Sequence, residues 1–247
     1  MICRVALCAL ALAATSGCER IPGGDDRSGP GAGFPRADRP VSSVQSNQFS
    51  TETQRDGVGE AQKVMDLAEL KPGMTVADIG AGEGYYTVRL AERVGAKGRV
   101  LAQDIDREAL QRLGQRVERE RLDNVSIKLG APDNPGLPEN SFDRIFLVHM
   151  YHEVREPYAF LWHLWPALRK DGQVVVVDID RPTDQHGIDP LLLSCEMERV
   201  GFELVTFKDS PELAGYYAQF KAAATRPKPN EIKPCRGSPG GAGNAAG

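Results

Sequence analysis

Three glycines at alternate positions, Gly80, Gly82 and Gly84, follow Asp78 in the stretch VADIGAGEGYYTVRLA. Glycine-rich turns between a strand and a helix usually cradle a nucleotide, because their backbone N–H groups can approach the ligand closely. A dinucleotide fingerprint requires G-x-G-x-x-G, and its third glycine would fall on Tyr85. Asp78 would repel a pyrophosphate, whereas it suits a ligand that presents an ammonium group. The turn therefore argues against a dinucleotide.

A second carboxylate, Asp104, ends the next predicted strand, 20 residues after Gly84. A carboxylate in that place can accept hydrogen bonds from both hydroxyls of a ribose, because it is an acceptor-only group. Enzymes that bind NAD place an acid similarly, so Asp104 indicates an adenosine ribose without separating the two kinds of cofactor. Asp106 could take the same role, although we expect it to cap the following helix.

The alternation D-x-G-x-G-x-G resembles the first motif of class I S-adenosylmethionine (SAM)-dependent methyltransferases. The stretch GAPDNPGLPENSFDRIFLV resembles the family's approach to its fourth strand, and the whole resemblance extends from about Gln54 to Phe220. It implies a methyltransferase with SAM as its cofactor and says little about the methyl acceptor. The positions that it assigns to cofactor binding are Asp78, Gly80, Ala81, Gly82, Gly84, Tyr85, Asp104, Ile105 and Asp133.

Some of these positions have two interpretations. The resemblance places Asp133 at the adenine amino group, but the string Asp-Asn-Pro-Gly is also typical of a plain turn. Of Tyr85 and Tyr86, at the start of the next helix, we expect one to pack into the core and the other to cover the cofactor. Arg55, ahead of the first helix, lies where members of this fold often close over SAM.

Tyr151, His152 and Glu153 follow the predicted fourth strand, at the edge where the reactive methyl group of SAM would lie. They are candidates for orienting the acceptor or taking its proton, and histidine is the natural base near neutral pH. Alternatively, His152 and Glu153 cap the next helix. The spacing His149-x-x-His152-Glu153 does not match H-E-x-x-H, so no metal site is predicted. His186, after the fifth strand, is a weaker candidate for contact with the acceptor.

These residues must be positioned by strands and helices. Along the chain, segments in which apolar residues follow a strand-like period alternate with segments in which they follow a helix-like period. Strands are predicted at 75–79, 99–104, 125–129, 142–148, 173–178, 203–207 and 216–220, and helices at 58–70, 85–94, 106–120, 157–168 and 189–200. This alternation predicts a doubly wound α/β fold, with a mostly parallel seven-stranded sheet, helices on both faces and an antiparallel edge hairpin. In such sheets ligands bind at the carboxyl ends of the strands, beside the first strand.

The chain begins with MICRVALCALALAATSGC, in which one arginine precedes an apolar run too short to span a bilayer. Residues 1–17 are therefore predicted to be a signal peptide, and the ending TSGC resembles a bacterial lipoprotein box that would place a lipid on Cys18. An ordinary secretion signal is the alternative. We expect a disordered tether over 18–50, the methyltransferase domain over 51–222 and a disordered tail over 223–247, because both flanks are poor in large apolar residues.

The cysteines and the net charge argue against a zinc site and against a nucleic-acid partner. Cys195 and Cys235 are far apart and lack C-x-x-C spacing, so we expect incidental thiols rather than a disulfide or a zinc site. The net charge is −4 and no basic block is visible, which argues against a nucleic-acid partner.

These patterns favour a methyltransferase that is exported, to the periplasm or as an outer-membrane lipoprotein, with a small-molecule acceptor. Export conflicts with the cytoplasmic supply of SAM, so a cytoplasmic enzyme is expected if the signal interpretation fails. A second hypothesis is an exported, lipid-anchored binding protein that holds a nucleoside-like ligand without catalysis. The third is an NAD dehydrogenase, which would need a pyrophosphate beside Asp78.

Overall fold

The computed structural model describes residues 28–42, 51–213 and 215–236. Within these residues the strands are β1 (Thr75–Ile79), β2 (Arg99–Asp104), β3 (Val125–Leu129), β4 (Phe142–Val148), β5 (Leu168–Asp178), β6 (Phe202–Ser210) and β7 (Gly215–Ala222). The helices are α1 (Glu52–Gly57), α2 (Glu60–Leu67), α3 (Tyr85–Val94), α4 (Arg107–Arg119), α5 (Pro157–Leu164) and α6 (Pro190–Arg199). No helix of this part of the chain has the length and apolar character needed to cross a bilayer.

The seven strands form one sheet in the order β3-β2-β1-β4-β5-β7-β6. The pairs from β3 to β5 are parallel, and β7 lies antiparallel to both β5 and β6. The predicted doubly wound α/β fold with an antiparallel edge is confirmed. The strand order reverses at β1, which has β2 on one side and β4 on the other, so a ligand crevice is expected at the carboxyl ends of these three strands.

The central strands are apolar because both faces of the sheet are covered. Val174, Val175, Val176 and Val177 of β5 are fully buried, and they alternate between two hydrophobic clusters. One cluster contains α5 and α6, and the other contains α2 and α3. This continuous burial explains the unbroken apolar run of β5 and holds the loops after β4 and β5 at one edge.

Several element boundaries differ from the prediction. The helix expected to reach Leu168 ends at Leu164, because Pro166 lacks an N–H and lies in a 3₁₀ turn from Trp165 to Ala167. The strand that follows therefore begins at Leu168, which pairs with Phe142. The first predicted helix, 58–70, corresponds to α2, and α1 is an additional helix that was not predicted. Gly59 separates the two, because it adopts a left-handed conformation with φ of +66°.

Cys195 of α6 and Cys235 form a disulfide, so the expectation of incidental thiols is wrong. The bridge fixes the chain that follows β7 against α6, and Ile232 and Cys235 are buried. The N–H of Cys235 also donates to the hydroxyl oxygen of Tyr158 at 2.6 Å. Residues 223–236 are therefore not the disordered tail that was expected from their few large apolar residues. The disulfide holds this segment against α6.

Loss of this bridge should destabilise the protein by about 4 kcal/mol, since it closes a loop between cysteines 40 residues apart in sequence. We expect the Cys195→Ser/Cys235→Ser variant to show that loss in urea unfolding. Wild-type protein in reductant should unfold at the same urea concentration as the variant, and reductant should leave the variant unchanged. Equal stability of oxidised and reduced wild type would contradict this prediction.

Residues 28–42, which we call the N-terminal segment, also differ from the expected tether. Phe34 is buried and packs edge-to-face on Trp162, with 5.6 Å between ring centroids. Arg39 forms an ion pair with Glu196 of α6, and the hydroxyl of Ser42 donates to the carbonyl oxygen of Thr183. Each of these contacts joins residues that are more than 100 positions apart in the sequence, so local composition could not predict them. The predicted signal peptide and Cys18 lie outside the described residues.

Candidate active site

The glycine turn links the carboxyl end of β1 to α3. All three glycines have positive φ, which is why the turn requires glycine. The N–H groups of Gly80 and Ala81 donate to the carbonyl of Gln103 at 2.8 and 3.0 Å, which ties the turn to β2. A Cβ at Gly80 would lie 3.0 Å from Met150, and one at Gly84 would lie 2.4 Å from Leu113. A Cβ at Gly82 would face open space, so this residue is where a ligand can approach the backbone.

Asp104 is held beside this turn by two backbone bonds. One carboxylate oxygen accepts from the N–H of Gly82 at 2.8 Å, and the other accepts from the N–H of Asp106 at 2.9 Å. Each oxygen has a second lone pair, so a fixed pair of acceptors is presented at the end of β2, as a ribose diol requires. The side chain of Asp106 accepts from the N–H groups of Glu108 and Ala109, which confirms that Asp106 caps α4.

Asp78 connects the two sides of the glycine turn. Its side chain is 3% exposed and accepts a 2.6 Å hydrogen bond from the hydroxyl of Thr87, in the first turns of α3. Burial raises the pKa of Asp78 to about 6, and the nearby carboxylate of Asp104 adds to the increase. A cation bound at the turn would favour the charged form of Asp78.

The two tyrosines after the turn are both buried, and the expected contact of one of them with the cofactor stays a prediction. The hydroxyl of Tyr85 donates to Asp56 at 3.0 Å, and the guanidinium of Arg55 lies 3.8 Å from its ring centroid. The hydroxyl of Tyr86 donates to Glu60 at 3.0 Å. These contacts direct both side chains to α1 and α2. Tyr85 directly follows the turn as the first residue of α3.

Arg55 is the centre of these contacts. It forms an ion pair of 2.5 Å with Glu60. Burial opposes ionisation of Glu60, but hydrogen bonds from His149 and Arg55 outweigh it and lower its pKa to about 2. Arg55 therefore fastens α1 to α2 and Tyr85, and its contact with SAM stays a prediction.

Ile105 and Asp133 continue the same edge of the sheet. Ile105 directly follows Asp104 and is 47% exposed, so its side chain can pack against a bound ring. Asp133 follows β3, and one of its carboxylate oxygens accepts from the N–H of Gly31 at 2.9 Å. The carbonyl oxygen of Asp133 lies 3.0 Å from Nδ1 of His163. The N-terminal segment and α5 thus hold Asp133 in place, and its contact with the adenine stays a prediction.

On the other side of β1, the loop after β4 carries a buried histidine. His149 directly follows the strand and has a left-handed φ of +53°, and Tyr151–Glu153 form a 3₁₀ turn. His152 is fully buried, and its Nδ1 lies 2.9 and 3.1 Å from the two carboxylate oxygens of Asp178. The helix-cap alternative is wrong, because α5 begins at Pro157 and its N-cap position is Glu156.

Tyr151 and Glu153 have different surroundings. The hydroxyl of Tyr151 is buried and donates to Glu196 at 2.8 Å, so it contacts α6 rather than the crevice. Glu153 is partly exposed, and burial followed by the carboxylates of Asp178 and Asp104 raises its pKa. Negative charge therefore accumulates at this edge. Of the three predicted catalytic residues, the structure brings His152 and Glu153 together near Asp104, and it gives Tyr151 a supporting position.

Asp178 was not among the predicted site residues. It ends the apolar run QVVVVD at the carboxyl edge of β5, as Asp104 ends β2, and that position was the signal available in the sequence. His186, predicted only as a weak candidate, is close to this pair. Its ring lies perpendicular to that of His152, with 5.8 Å between the centroids.

Comparisons with known proteins support the fold and identify the family. Residues 70–215, more than half of the chain, match the Methyltransferase domain family (Methyltransf_31). The chain is 26% identical to a SAM-dependent methyltransferase of Aquifex aeolicus of known structure, with a TM-score of 0.62, covering 68% of this chain and 92% of that one. Cofactor and fold are therefore those that the sequence predicted.

Two curated relatives are similar to part of this chain. A ubiquinone/menaquinone biosynthesis C-methyltransferase, UbiE, of Shewanella sp. (strain ANA-3) is 27% identical over 60% of this chain and 55% of its own length. A demethylmenaquinone methyltransferase of Geobacillus sp. (strain WCH70) is 27% identical over 49% of this chain and 52% of its own. The chain spans about half the length of these relatives. On the family match and the shared fold, this chain belongs to the SAM-dependent methyltransferases of the Methyltransferase domain family.

Proposed function

We propose that this protein transfers the methyl group of SAM to a small-molecule acceptor that lies at the carboxyl edge between β1 and β5. The observation that carries the proposal is the hydrogen bond between the carboxylate of Asp104 and the N–H of Gly82. It places acceptors for the ribose hydroxyls next to a glycine whose backbone a ligand can approach. The same edge carries His152 and Glu153, on the side of β1 opposite to Asp104. The names of the two curated relatives, both of quinone biosynthesis, support a small molecule as the acceptor.

Methyl transfer is an in-line displacement at carbon. The sulfonium charge of SAM disperses as the bond to the acceptor forms, so the protein contributes alignment and exclusion of water. In this proposal Asp104 and the glycine turn hold the adenosine and methionine parts, with Ile105 and Asp133 at the adenine. His152 and Glu153 orient the acceptor or take its proton, and Tyr151 supports their loop through Glu196.

Gly82 offers a direct test of the cofactor site. A Gly82→Val variant should lose SAM binding in calorimetry, because its side chain fills the open space beside Asp104. Gly73→Val is the matched control: Gly73 also has positive φ, and a Cβ there also meets nothing within 4 Å, but it precedes β1 at the opposite end. Both variants should lose about 1–2 kcal/mol of stability from backbone strain. SAM binding by Gly82→Val at wild-type affinity would contradict the assignment.

A catalytic assay separates the enzyme from a binding protein without activity. Wild-type protein is incubated with methyl-labelled SAM and a panel of quinols and other hydroxylated small molecules. Transfer of label to one of them supports the enzyme. SAM binding with no transfer to the panel would favour the binding protein, and NADH binding seen by fluorescence would favour the dehydrogenase.

We further propose that the protein is exported and anchored through a lipid on Cys18. The Cys195–Cys235 disulfide supports export, because such bonds form and persist in oxidising compartments. Cell fractionation with labelled palmitate tests both parts of the proposal. Label on the membrane fraction that disappears in Cys18→Ser supports the anchor, and a protein found only in the cytoplasm would overturn export.

A further inference from the structure

Three side chains that metal ions favour meet at the acceptor side of the site. One donor atom from each of His152, Glu153 and His186 lies within 4.8 Å of the others. The first two come from the 3₁₀ turn after β4, and His186 comes from the loop after β5. Nε2 of His152 is 3.9 Å from a carboxylate oxygen of Glu153. His186 lies 33 residues after Glu153 in the sequence, so the spacing pattern tested for a metal site, which covered only His149, His152 and Glu153, did not include it.

His152 is oriented by a carboxylate behind it. Asp178 is fully buried and lies within 3.1 Å of Nδ1 of His152 through both oxygens, and one oxygen also accepts from the N–H of Ile179 at 2.8 Å. With the Nδ1 proton directed to Asp178, Nε2 is the atom that turns towards Glu153. Metal-binding histidines almost always donate their other ring N–H to such a partner, which fixes the tautomer and makes the ligand atom more basic.

His186 is held in a conformation that costs energy. Its φ of +56° is left-handed, which for a residue other than glycine is usually maintained by its surroundings. Here the N-terminal segment maintains it: the N–H of His186 donates to Ser42 Oγ at 3.1 Å, and the hydroxyl of Thr183 donates to the carbonyl of Pro40 at 2.6 Å. Strain of this kind concentrates at functional sites, and here it places one imidazole beside another.

We propose that His152, Glu153 and His186 bind a divalent transition-metal ion of the zinc class, with one coordination position open towards the acceptor. Two imidazoles and one carboxylate are a donor set of catalytic zinc sites, which keep the fourth position for water or substrate. Donor atoms on a tetrahedral zinc are about 3.4 Å apart. Metal binding therefore requires rotation of Glu153 and His186, which are both partly exposed, since the donor atoms now lie within 4.8 Å of one another.

This inference rests on the proposed methyl transfer, and it assigns the acceptor a hydroxyl group. The metal lowers the pKa of a bound hydroxyl, whose proton leaves to solvent. An oxygen lone pair then forms the bond to the methyl carbon as the carbon–sulfur bond breaks and its electron pair goes to sulfur. The products are a methyl ether and neutral S-adenosylhomocysteine, so charge and electrons balance.

The test is metal binding by the full chain after removal of metal with a chelator. Zn²⁺ is titrated calorimetrically, and Co²⁺ is added as a spectroscopic probe whose visible absorption reports tetrahedral ligands. We expect one ion per chain. Asp178 does not touch the metal itself, so Asp178→Asn should weaken Zn²⁺ binding by roughly 10–100-fold, as loss of a hydrogen-bond partner of a metal ligand does. His186→Ala and Glu153→Gln each remove a ligand and should weaken Zn²⁺ binding by more than that. His163→Ala, on α5, is the matched histidine control and should bind as wild type does.

Two outcomes would overturn the proposal. One is a wild-type chain that takes up no Zn²⁺ and gives no tetrahedral Co²⁺ spectrum. The other is Glu153→Gln and His186→Ala proteins that remain folded by circular dichroism and bind Zn²⁺ as tightly as wild type. SAM binding is measured on the same samples, so a chain that binds SAM but no metal refutes only this inference. A chain that binds no SAM refutes the proposed function instead.

Discussion

Replacement of Asp104 by alanine is expected to abolish SAM binding while the domain stays folded. The carboxylate presents two oxygens at the end of β2, each positioned by a backbone N–H. Hydrogen bonds to a charged group contribute about 1.5–3 kcal/mol each, so loss of two ribose bonds weakens binding by roughly 10²–10⁴-fold. The N–H of Gly82 also loses its partner, which loosens the turn and adds to the effect.

Calorimetric titration with S-adenosylhomocysteine measures this loss, and Asp106→Ala is its matched control. Asp106 is a carboxylate two residues away that caps α4. Its removal should cost about 1 kcal/mol of stability and leave the affinity for the ligand unchanged. If Asp106→Ala lowered affinity as much as Asp104→Ala, the assignment of the ribose contact to Asp104 would be wrong.

Arg39→Ala should destabilise the protein by about 3–5 kcal/mol, because it leaves Glu196 buried without its counter-ion. The Arg39 and Glu196 side chains are each 1% exposed, and Arg39 Nε lies 2.8 Å from the carboxylate. The guanidinium also donates to the carbonyls of His152 and Val154 at 3.2 and 3.1 Å. The variant should therefore loosen both the N-terminal segment and the loop that carries His152.

Chemical denaturation measures the change, and Arg36→Ala supplies the control. Arg36 is exposed in the same segment, so its removal should alter stability by less than about 0.5 kcal/mol. An Arg39→Ala/Glu196→Leu variant should recover part of the loss, since no charge is then left buried without a partner. Equal stability of Arg39→Ala and Arg36→Ala would show that the N-terminal segment does not pack on α6.

The sequence predicted those parts of the site whose residues lie close to one another along the chain. The glycine turn, Asp104 and Asp106 belong to one strand–helix–strand unit, in which backbone conformation fixes how far apart the residues lie. Positive φ at Gly80, Gly82 and Gly84 is a property of the turn itself, and glycine is its visible signal. The fold follows from the same kind of information, because alternating strands and helices allow few ways to cover a parallel sheet.

Contacts between residues that are remote in sequence were decided only by the tertiary structure. The pairing of Cys195 with Cys235, the contact of Asp178 with His152, and the approach of His186 each join separate loops or helices. The N-terminal segment was expected to be a tether because it has few apolar residues, yet Arg39 and Phe34 anchor it on α5 and α6. By itself the sequence determined the fold class and the cofactor, since their signals depend on local backbone geometry, and it predicted which acidic residue would contact the ribose. The acceptor side required the structure, because its residues come together only when β4, β5 and the N-terminal segment share one edge.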